Sequence, residues 1–284
     1  MFEGPERYSG EVLRLPNYVG WPVVAISAYG GLYYFANRAI YYPSKYPQGF
    51  WDMQQAVGAS DVWIDTPDGV RLHGWWTPRK DARFVTLYLH GNAGNVTHRF
   101  PQIREITAAG SSILMLDYRG YGKSSGRPTE KGLYTDADAA FAHLLKLGAS
   151  PEQIILHGES LGTAVAIDLA SRRPCAALVL EASFTSASDV ARTVLPVIGP
   201  LLVRSYNSAA KIHRILAPKL FIQGDRDEII PPRLGQALYA AAPAPKSFWI
   251  VEGAGHNDIL ETAGSEYRQH LHDFYQELAT DTHR

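Results

Sequence analysis

Residues 154–162 read IILHGESLG, and this stretch decides the fold. A short apolar run enters Gly-x-Ser-x-Gly, and an alanine-rich segment of helical length follows, so the motif joins a buried strand to a helix. Gly158 and Gly162 lie two residues before and after Ser160, at positions where a larger side chain would collide with neighbouring backbone. The sharp turn presents the serine hydroxyl above the sheet, at a helix N-terminus that favours developing negative charge. The sequence therefore predicts a nucleophile at Ser160.

On both sides of this motif, short runs rich in Val, Ile, Leu and Phe alternate with segments of helical length. This alternation predicts an α/β fold with a mostly parallel central sheet and helices on both of its faces. We expect one domain over residues 60–284, preceded by a connection at 43–59. Thr-Pro-Asp-Gly at residues 66–69 predicts a tight turn between two antiparallel strands. The predicted strands are 61–65, 70–76, 84–89, 112–116, 154–157, 177–180, 219–222 and 247–251, and the predicted helices are 98–109, 130–147, 161–172, 233–242 and 259–278.

A serine hydroxyl is a weak nucleophile unless a base removes its proton, so a histidine must lie within hydrogen-bond reach. Of the ten histidines, His256 follows the last predicted strand in a glycine-containing loop, EGAGHND. The strand at 219–222 leads into QGDRDEIIP, in which Asp227 is the predicted partner of His256 and Asp225 is the alternative. Ligands bind at the carboxyl ends of parallel strands, so we expect these side chains to meet Ser160 there.

The loop after strand 84–89 reads HGNAGN, and its small residues let the backbone approach a substrate closely. Acyl transfer needs hydrogen-bond donors that stabilise an oxyanion. The predicted donors are the backbone amides of Leu161 and of Asn92, with Ala93 as the alternative to Asn92. We expect His90 to fix this loop by hydrogen bonds rather than to act in catalysis.

Charge balance and cysteine content exclude several partners and cofactors. Lysine and arginine total 27 against 28 aspartates and glutamates, so the basic surplus that nucleic acid binding requires is missing. Cys175 is the only cysteine, which leaves no internal disulfide and no cysteine-based metal cluster. Residues 122–124, Gly-Lys-Ser, lack the spacing of a phosphate-binding loop, and no metal motif occurs. We therefore expect no nucleic acid, no metal and no cofactor.

Residues 1–42 form an apolar N-terminal segment. No charged residue occurs from 15 to 37, and aromatic residues cluster towards the ends of this stretch, as in a membrane span. Pro22 and three glycines weaken a helix here, so a cleaved signal peptide and an arm packed on the domain or on another subunit are the alternatives. The sequence favours a membrane anchor, and hence a membrane-associated protein that is otherwise cytoplasmic.

The motifs HGNAGN, DYRGYG at 117–122, GESLG, Asp227 and Gly255-His256 stand in the order of the α/β-hydrolase superfamily, which residues 60–279 resemble. The HGNAGN loop and the apolar N-terminus are similar to those of the membrane-anchored α/β-hydrolase-domain proteins. That group is similar to acylglycerol lipases, protein depalmitoylases and serine aminopeptidases. The resemblance implies hydrolysis of esters or thioesters through an acyl-enzyme, without a cofactor.

These residues predict a mechanism in which Ser160 attacks a carbonyl while His256 takes its proton and Asp227 stabilises the imidazolium. The amides of Asn92 and Leu161 hold the oxyanion.

The predicted substrate is a small or lipid-like acyl compound. Residues 184–215 form an apolar insertion broken by prolines, interpreted either as a short lid over an acyl chain or as core packing. Amide hydrolysis, as in a serine aminopeptidase, and a non-catalytic binding protein on the same fold are the alternatives. The sequence leaves the oligomeric state open.

Overall fold

The computed structural model describes residues 17–281. Eight of its strands lie where apolar runs predict them, within two residues at either end, whereas the two-residue strands at 42–43 and 93–94 are outside the predicted set. Val, Ile, Leu and Phe favour the central strands because these are buried on both faces of the sheet, whereas the two edge strands are partly exposed. The strands are β1 (Tyr42–Pro43), β2 (Ser60–Asp65), β3 (Arg71–Thr77), β4 (Phe84–Leu89), β5 (Ala93–Gly94), β6 (Ser111–Asp117), β7 (Ile154–Glu159), β8 (Ala177–Glu181), β9 (Lys219–Gly224) and β10 (Lys246–Val251).

Eight strands form one sheet in the order β10-β9-β8-β7-β4-β6-β3-β2. The predicted hairpin is present, since β2 and β3 are antiparallel and the turn at 66–69 closes with a 2.8 Å bond from Thr66 N to Val70 O. The β3–β6 pair is also antiparallel, and every other pair in this sheet is parallel. The predicted α/β fold with a mostly parallel central sheet is therefore confirmed.

Helices cover both faces of the sheet, and two of them depart from their predictions. The single helix predicted over 259–278 is wrong, because Gly264 adopts a φ of 55° and ends the first of two helices there. The segment predicted at 98–109 begins as a 3-10 turn over Val96–Arg99. The helices are α1 (Asn17–Arg38), α2 (Met53–Ala56), α3 (Phe100–Ala109), α4 (Glu130–Lys146), α5 (Leu161–Ala170), α6 (Ala187–Val194), α7 (Gly199–Leu202), α8 (Ala209–Ile212), α9 (Pro232–Ala241), α10 (Ile259–Ala263) and α11 (Ser265–Asp281).

Two apolar layers hold the helices on the sheet. Successive side chains of a strand point to opposite faces, so Leu87 and Leu89 of β4 enter one layer and Tyr88 enters the other. The first layer includes α4, α5 and α9, and the second includes α3 and α11. The strand order puts β7 and β4 at the centre of the sheet. The Gly-x-Ser-x-Gly turn at 158–162, hereafter the elbow, lies at the end of β7, and the HGNAGN loop follows β4.

The N-terminal helix α1 contacts the segment predicted as a lid. Tyr29 donates a hydrogen bond of 2.7 Å to the carbonyl of Leu201, and Asn37 donates one of 2.8 Å to the carbonyl of Leu202. Across residues 17–281, no helix combines the length and the apolar character that a bilayer crossing requires. Residues 1–16 of the predicted anchor lie outside the described residues, so the anchor stays a prediction.

The predicted connection at 43–59 carries structure of its own. β1 pairs in parallel with β5, which belongs to the HGNAGN loop, and α2 follows. The chain that leaves α1 therefore lies against the loop at the carboxyl end of β4.

Candidate active site

Ser160 lies on the tight turn between β7 and α5, with a φ of 52° and a ψ of −117°. A non-glycine residue rarely adopts this conformation, and the surrounding chain must enforce it. The flanking glycines let neighbouring backbone segments approach each other closely. A Cβ on Gly158 would lie 2.5 Å from the carbonyl oxygen of Gly162, and a Cβ on Gly162 would collide with the carbonyl oxygen of Leu89. The collision expected for larger side chains is thus present at both positions.

The structure brings Ser160, His256 and Asp227 into one hydrogen-bonded chain. His256 Nε2 lies 3.0 Å from Ser160 Oγ, and His256 Nδ1 lies 2.7 Å from Asp227 Oδ2. A carboxylate oxygen accepts hydrogen bonds, so the His256 tautomer with its proton on Nδ1 donates a hydrogen bond to Asp227. The Nε2 lone pair then faces the serine hydroxyl, which is the orientation that a general base requires.

Backbone amides and one side chain fix the Asp227 carboxylate. Its Oδ1 accepts hydrogen bonds from the amides of Ile229 and Ile230, at 3.0 and 2.7 Å, and its Oδ2 accepts one of 3.1 Å from Gln223 Nε2. Gln223 is not predictable from the sequence, since an amide side chain at a strand end carries no distinctive signal. The alternative carboxylate, Asp225, is exposed and instead accepts a 2.7 Å bond from the amide of Gly253.

The predicted oxyanion loop lies beside the serine and is held by the segment after α1. The carbonyl of Asn92 accepts hydrogen bonds from the amide of Tyr42 and the hydroxyl of Tyr121, and its side chain donates to the carbonyl of Ile40. Leu161 is the first residue of α5, where an amide has no acceptor within the helix. Asn92, Ala93, Leu161 and Ser160 all line one cavity.

Arg99 joins the elbow to the same loop. Its guanidinium donates two hydrogen bonds to Glu159, of 3.0 and 2.7 Å, and a third of 3.1 Å to the carbonyl of Ala93. Tyr88 also donates to Glu159, at 2.9 Å. Burial alone would raise the pKa of the Glu159 carboxyl, but the charge and hydrogen bonds of Arg99 outweigh burial and lower the pKa to about 2. No local pattern in the sequence predicts this connection between Arg99 and Glu159.

His90 lies at the start of the HGNAGN loop and is fully buried. Its Nδ1 lies 2.7 Å from the carbonyl of Gly91, and Tyr118 donates a 3.2 Å bond to the carbonyl of His90. Burial lowers the pKa of His90 to about 4, with a smaller contribution from the charge of Arg99. His90 is therefore uncharged at neutral pH, and it contacts both its own loop and the rings of Tyr118 and Tyr121.

Removing the Arg99 charge should destabilise the protein strongly. The Arg99→Met variant leaves the Glu159 carboxylate, only 18% exposed, without its cation, so we expect the free energy of unfolding to fall by about 3–5 kcal/mol. Adding Glu159→Gln removes the stranded charge and should restore most of that loss. Urea denaturation of the single and double variants measures both effects.

The matched control is Arg104→Met. The Arg104 side chain is 70% exposed, and its partner Glu105, although buried, keeps Arg268 as a second cation when Arg104 is removed. We expect a loss of less than about 1 kcal/mol for such a pair. If the double variant Arg99→Met/Glu159→Gln were no more stable than Arg99→Met alone, the unpaired Glu159 carboxylate would not be the cause of the destabilisation.

A cavity of about 490 Å³ opens beside Ser160, with His256 on its wall. Most of its lining is apolar, and α6 contributes one side of it. Among residues 17–281, no group of three or more His, Cys, Asp or Glu side chains is placed to hold a metal ion. The lining residues are Ile40, Tyr42, Asn92, Ala93, Ser160, Leu161, Phe184, Ala187, Val190, Ala191, Val203, Ile229, Ile230, His256 and Asn257.

Sequence and structure relatives place the chain in a family. A family model for the alpha/beta hydrolase fold matches residues 87–210. Rv2307c of Mycobacterium tuberculosis, an uncharacterised protein, is 41% identical over 248 residues, which cover 84% of this chain and 88% of the relative. Protein bem46 of Schizosaccharomyces pombe is 32% identical over 296 residues, covering 96% and 97% of the two chains. The solved esterase Pf2001 of Pyrococcus furiosus is similar with a TM-score of 0.71 at 21% identity, over 84% of this chain and 98% of that one. The chain therefore belongs to the α/β-hydrolase family.

Proposed function

We propose that the protein is a serine hydrolase that cleaves carboxylic esters or thioesters of apolar acyl groups. The observation that carries the proposal is the hydrogen-bonded chain from Ser160 Oγ through His256 to Asp227, at 3.0 and 2.7 Å, on the wall of an apolar cavity. The Pyrococcus furiosus protein of similar fold is named an esterase, which agrees with this reaction class.

In the proposed reaction Ser160 Oγ attacks the acyl carbon while His256 Nε2 accepts the hydroxyl proton. The amides of Leu161 and Asn92 stabilise the oxyanion of the tetrahedral intermediate. His256 then gives the proton to the departing alcohol or thiol, which leaves an acyl group on Ser160. Water, deprotonated by the same imidazole, attacks this acyl-enzyme; the bond to Ser160 Oγ breaks, the imidazolium returns the proton to Oγ, and the acid is released. Asp227 stabilises the imidazolium at each step.

The cavity favours an apolar acyl group over a free amine. None of its lining residues is an aspartate, a glutamate, a lysine or an arginine. An aminopeptidase needs a carboxylate that binds the ammonium group of its substrate, because a buried ammonium without a partner is costly. The lining therefore supports ester or thioester cleavage rather than aminopeptidase activity.

Narrowing the cavity should change the preference for acyl length. Val190 of α6 lines the cavity, so we expect Val190→Phe to lower kcat/KM for p-nitrophenyl dodecanoate by about 10-fold or more relative to p-nitrophenyl acetate. The added ring removes space for the chain and leaves the serine untouched. Initial rates across a series of esters measure the ratio.

Val194→Phe is the control, because Val194 lies on the same helix with 74% of its surface exposed and does not line the cavity. We expect this variant to keep the wild-type ratio. Equal ratios for the two variants and the wild type would show that α6 does not contact the acyl chain, and the lid interpretation of residues 184–215 would then be wrong.

A further inference from the structure

The chain between α1 and residue 45 separates two cavities. Ile40 and Tyr42 line the cavity beside Ser160, whereas Tyr41 and Pro43 line a second one of about 320 Å³. Neighbouring residues of an extended segment point in opposite directions, which explains the division. The second cavity lies directly across this segment from the candidate active site.

Three cations surround the second cavity. Arg38 comes from the last turn of α1, Lys45 from the chain after β1, and Arg127 from the loop before α4. All three are exposed to solvent, and no aspartate or glutamate lines the cavity. Its other lining residues are Tyr41, Pro43, Gly120, Gly126 and Pro128. The cavity thus presents three positive charges to one small volume.

Neighbouring carboxylates do not neutralise these charges. Asp68 and Asp136 are both paired with Arg119, whose guanidinium they share at 2.8 and 2.7 Å. Within the described part of the chain, neither Arg38, Lys45 nor Arg127 lies within ion-pair distance of a carboxylate. Arg38 donates one hydrogen bond of 3.1 Å, to the hydroxyl of Tyr34. Like charges held together without a counter-ion repel one another, so an anion would stabilise this arrangement.

We propose that this cavity is a binding site for a phosphate group. Two guanidinium groups offer paired N–H donors that match phosphate oxygens, and a lysine adds a compact charge. Three positive charges also suit a group that carries up to two negative charges at neutral pH. The position of Arg38 points to two sources of the group. Arg38 ends a helix whose exposed residues include Ile26 and Phe35, as a phospholipid surface would require, and the cavity is equally open to a soluble phosphate compound.

The test compares the full-length wild type with the variant R38Q/K45Q/R127Q. A charge-matched control, K80Q/K131Q/K146Q, removes three exposed lysines that do not line the cavity. One arm titrates inorganic phosphate by calorimetry at constant ionic strength. The other measures co-sedimentation with vesicles of phosphatidylcholine, with and without phosphatidic acid. Both readouts are binding, so they are independent of the proposed ester hydrolysis.

We expect the wild type to bind at least one probe and the cavity variant to bind it about 100-fold more weakly, while the control stays near the wild type. Loss confined to vesicles assigns the site to a lipid headgroup, and loss confined to phosphate assigns it to a soluble compound. Absence of binding to both probes, or equal affinities of the cavity and control variants, overturns the proposal. If the triple variant does not fold, the single variants R38Q and R127Q are used instead, and each should weaken binding about 5-fold. Wild-type affinity in both single variants would also overturn the proposal.

Discussion

The Ser160→Ala variant is expected to lose ester hydrolysis by a factor of about 10⁶ in kcat, with its fold unchanged. The reason is that no other hydroxyl lies within hydrogen-bond distance of His256 Nε2 among the described residues. Alanine keeps the Cβ of serine, so the strain of a φ of 52° at this position is the same in both proteins. Steady-state assays with p-nitrophenyl butyrate measure kcat, and thermal denaturation measures whether the fold is unchanged.

Ser60→Ala is a suitable control. Ser60 is exposed at the start of β2 and makes one long hydrogen bond of 3.4 Å, so its removal should leave both activity and melting temperature near those of the wild type. If Ser160→Ala kept more than a few per cent of the wild-type rate, the assignment of the nucleophile would be wrong.

The second large effect is expected for Asp227→Asn, at about 10⁴-fold in kcat. The amides of Ile229 and Ile230 require an oxygen at the position of Oδ1, so the new NH₂ group must point towards Gln223 and His256. A donor there makes Nδ1 of His256 an acceptor and moves its proton to Nε2. That tautomer places an N–H against the Ser160 hydroxyl and has no lone pair that can take its proton.

Asp225→Asn separates the two carboxylates that the sequence leaves as alternatives. Asp225 holds the amide of Gly253 at 2.7 Å, and asparagine retains an oxygen for that bond. We expect kcat to change by less than about 10-fold, since the tautomer of His256 is untouched. A larger loss from Asp225→Asn than from Asp227→Asn would contradict the hydrogen-bond pattern on which the assignment rests.

Local patterns in the sequence are sufficient to predict the central sheet and the turn that carries Ser160. The strands β4 and β7 are apolar on both faces because they lie at the centre of a covered sheet, so their composition alone indicates buried parallel strands. The elbow could be predicted for a related reason. Gly158 and Gly162 stand where the chain packs against itself too closely for a side chain, and that requirement appears directly as Gly-x-Ser-x-Gly.

Pairings between distant residues could not be predicted in this way. Arg99 and Glu159 are 60 positions apart, and their ion pair exists only because β4 and β7 are neighbours in the sheet. The contact between Tyr42 and Asn92 depends in the same manner on where the chain after α1 returns to the sheet. Gly264 shows a further limit, since a helical pattern of apolar residues continues through it while the backbone does not.

The central claim is that His256 and Asp227 activate one serine, and covalent labelling tests it most directly. A fluorophosphonate transfers its phosphonyl group to an activated serine Oγ and loses fluoride, and the adduct is seen by mass spectrometry of the intact protein and its peptides. We expect one adduct per chain, located on Ser160, absent from Ser160→Ala and formed far more slowly in His256→Ala. Absence of an adduct on the wild type, or an adduct on another residue that persists in Ser160→Ala, would contradict it.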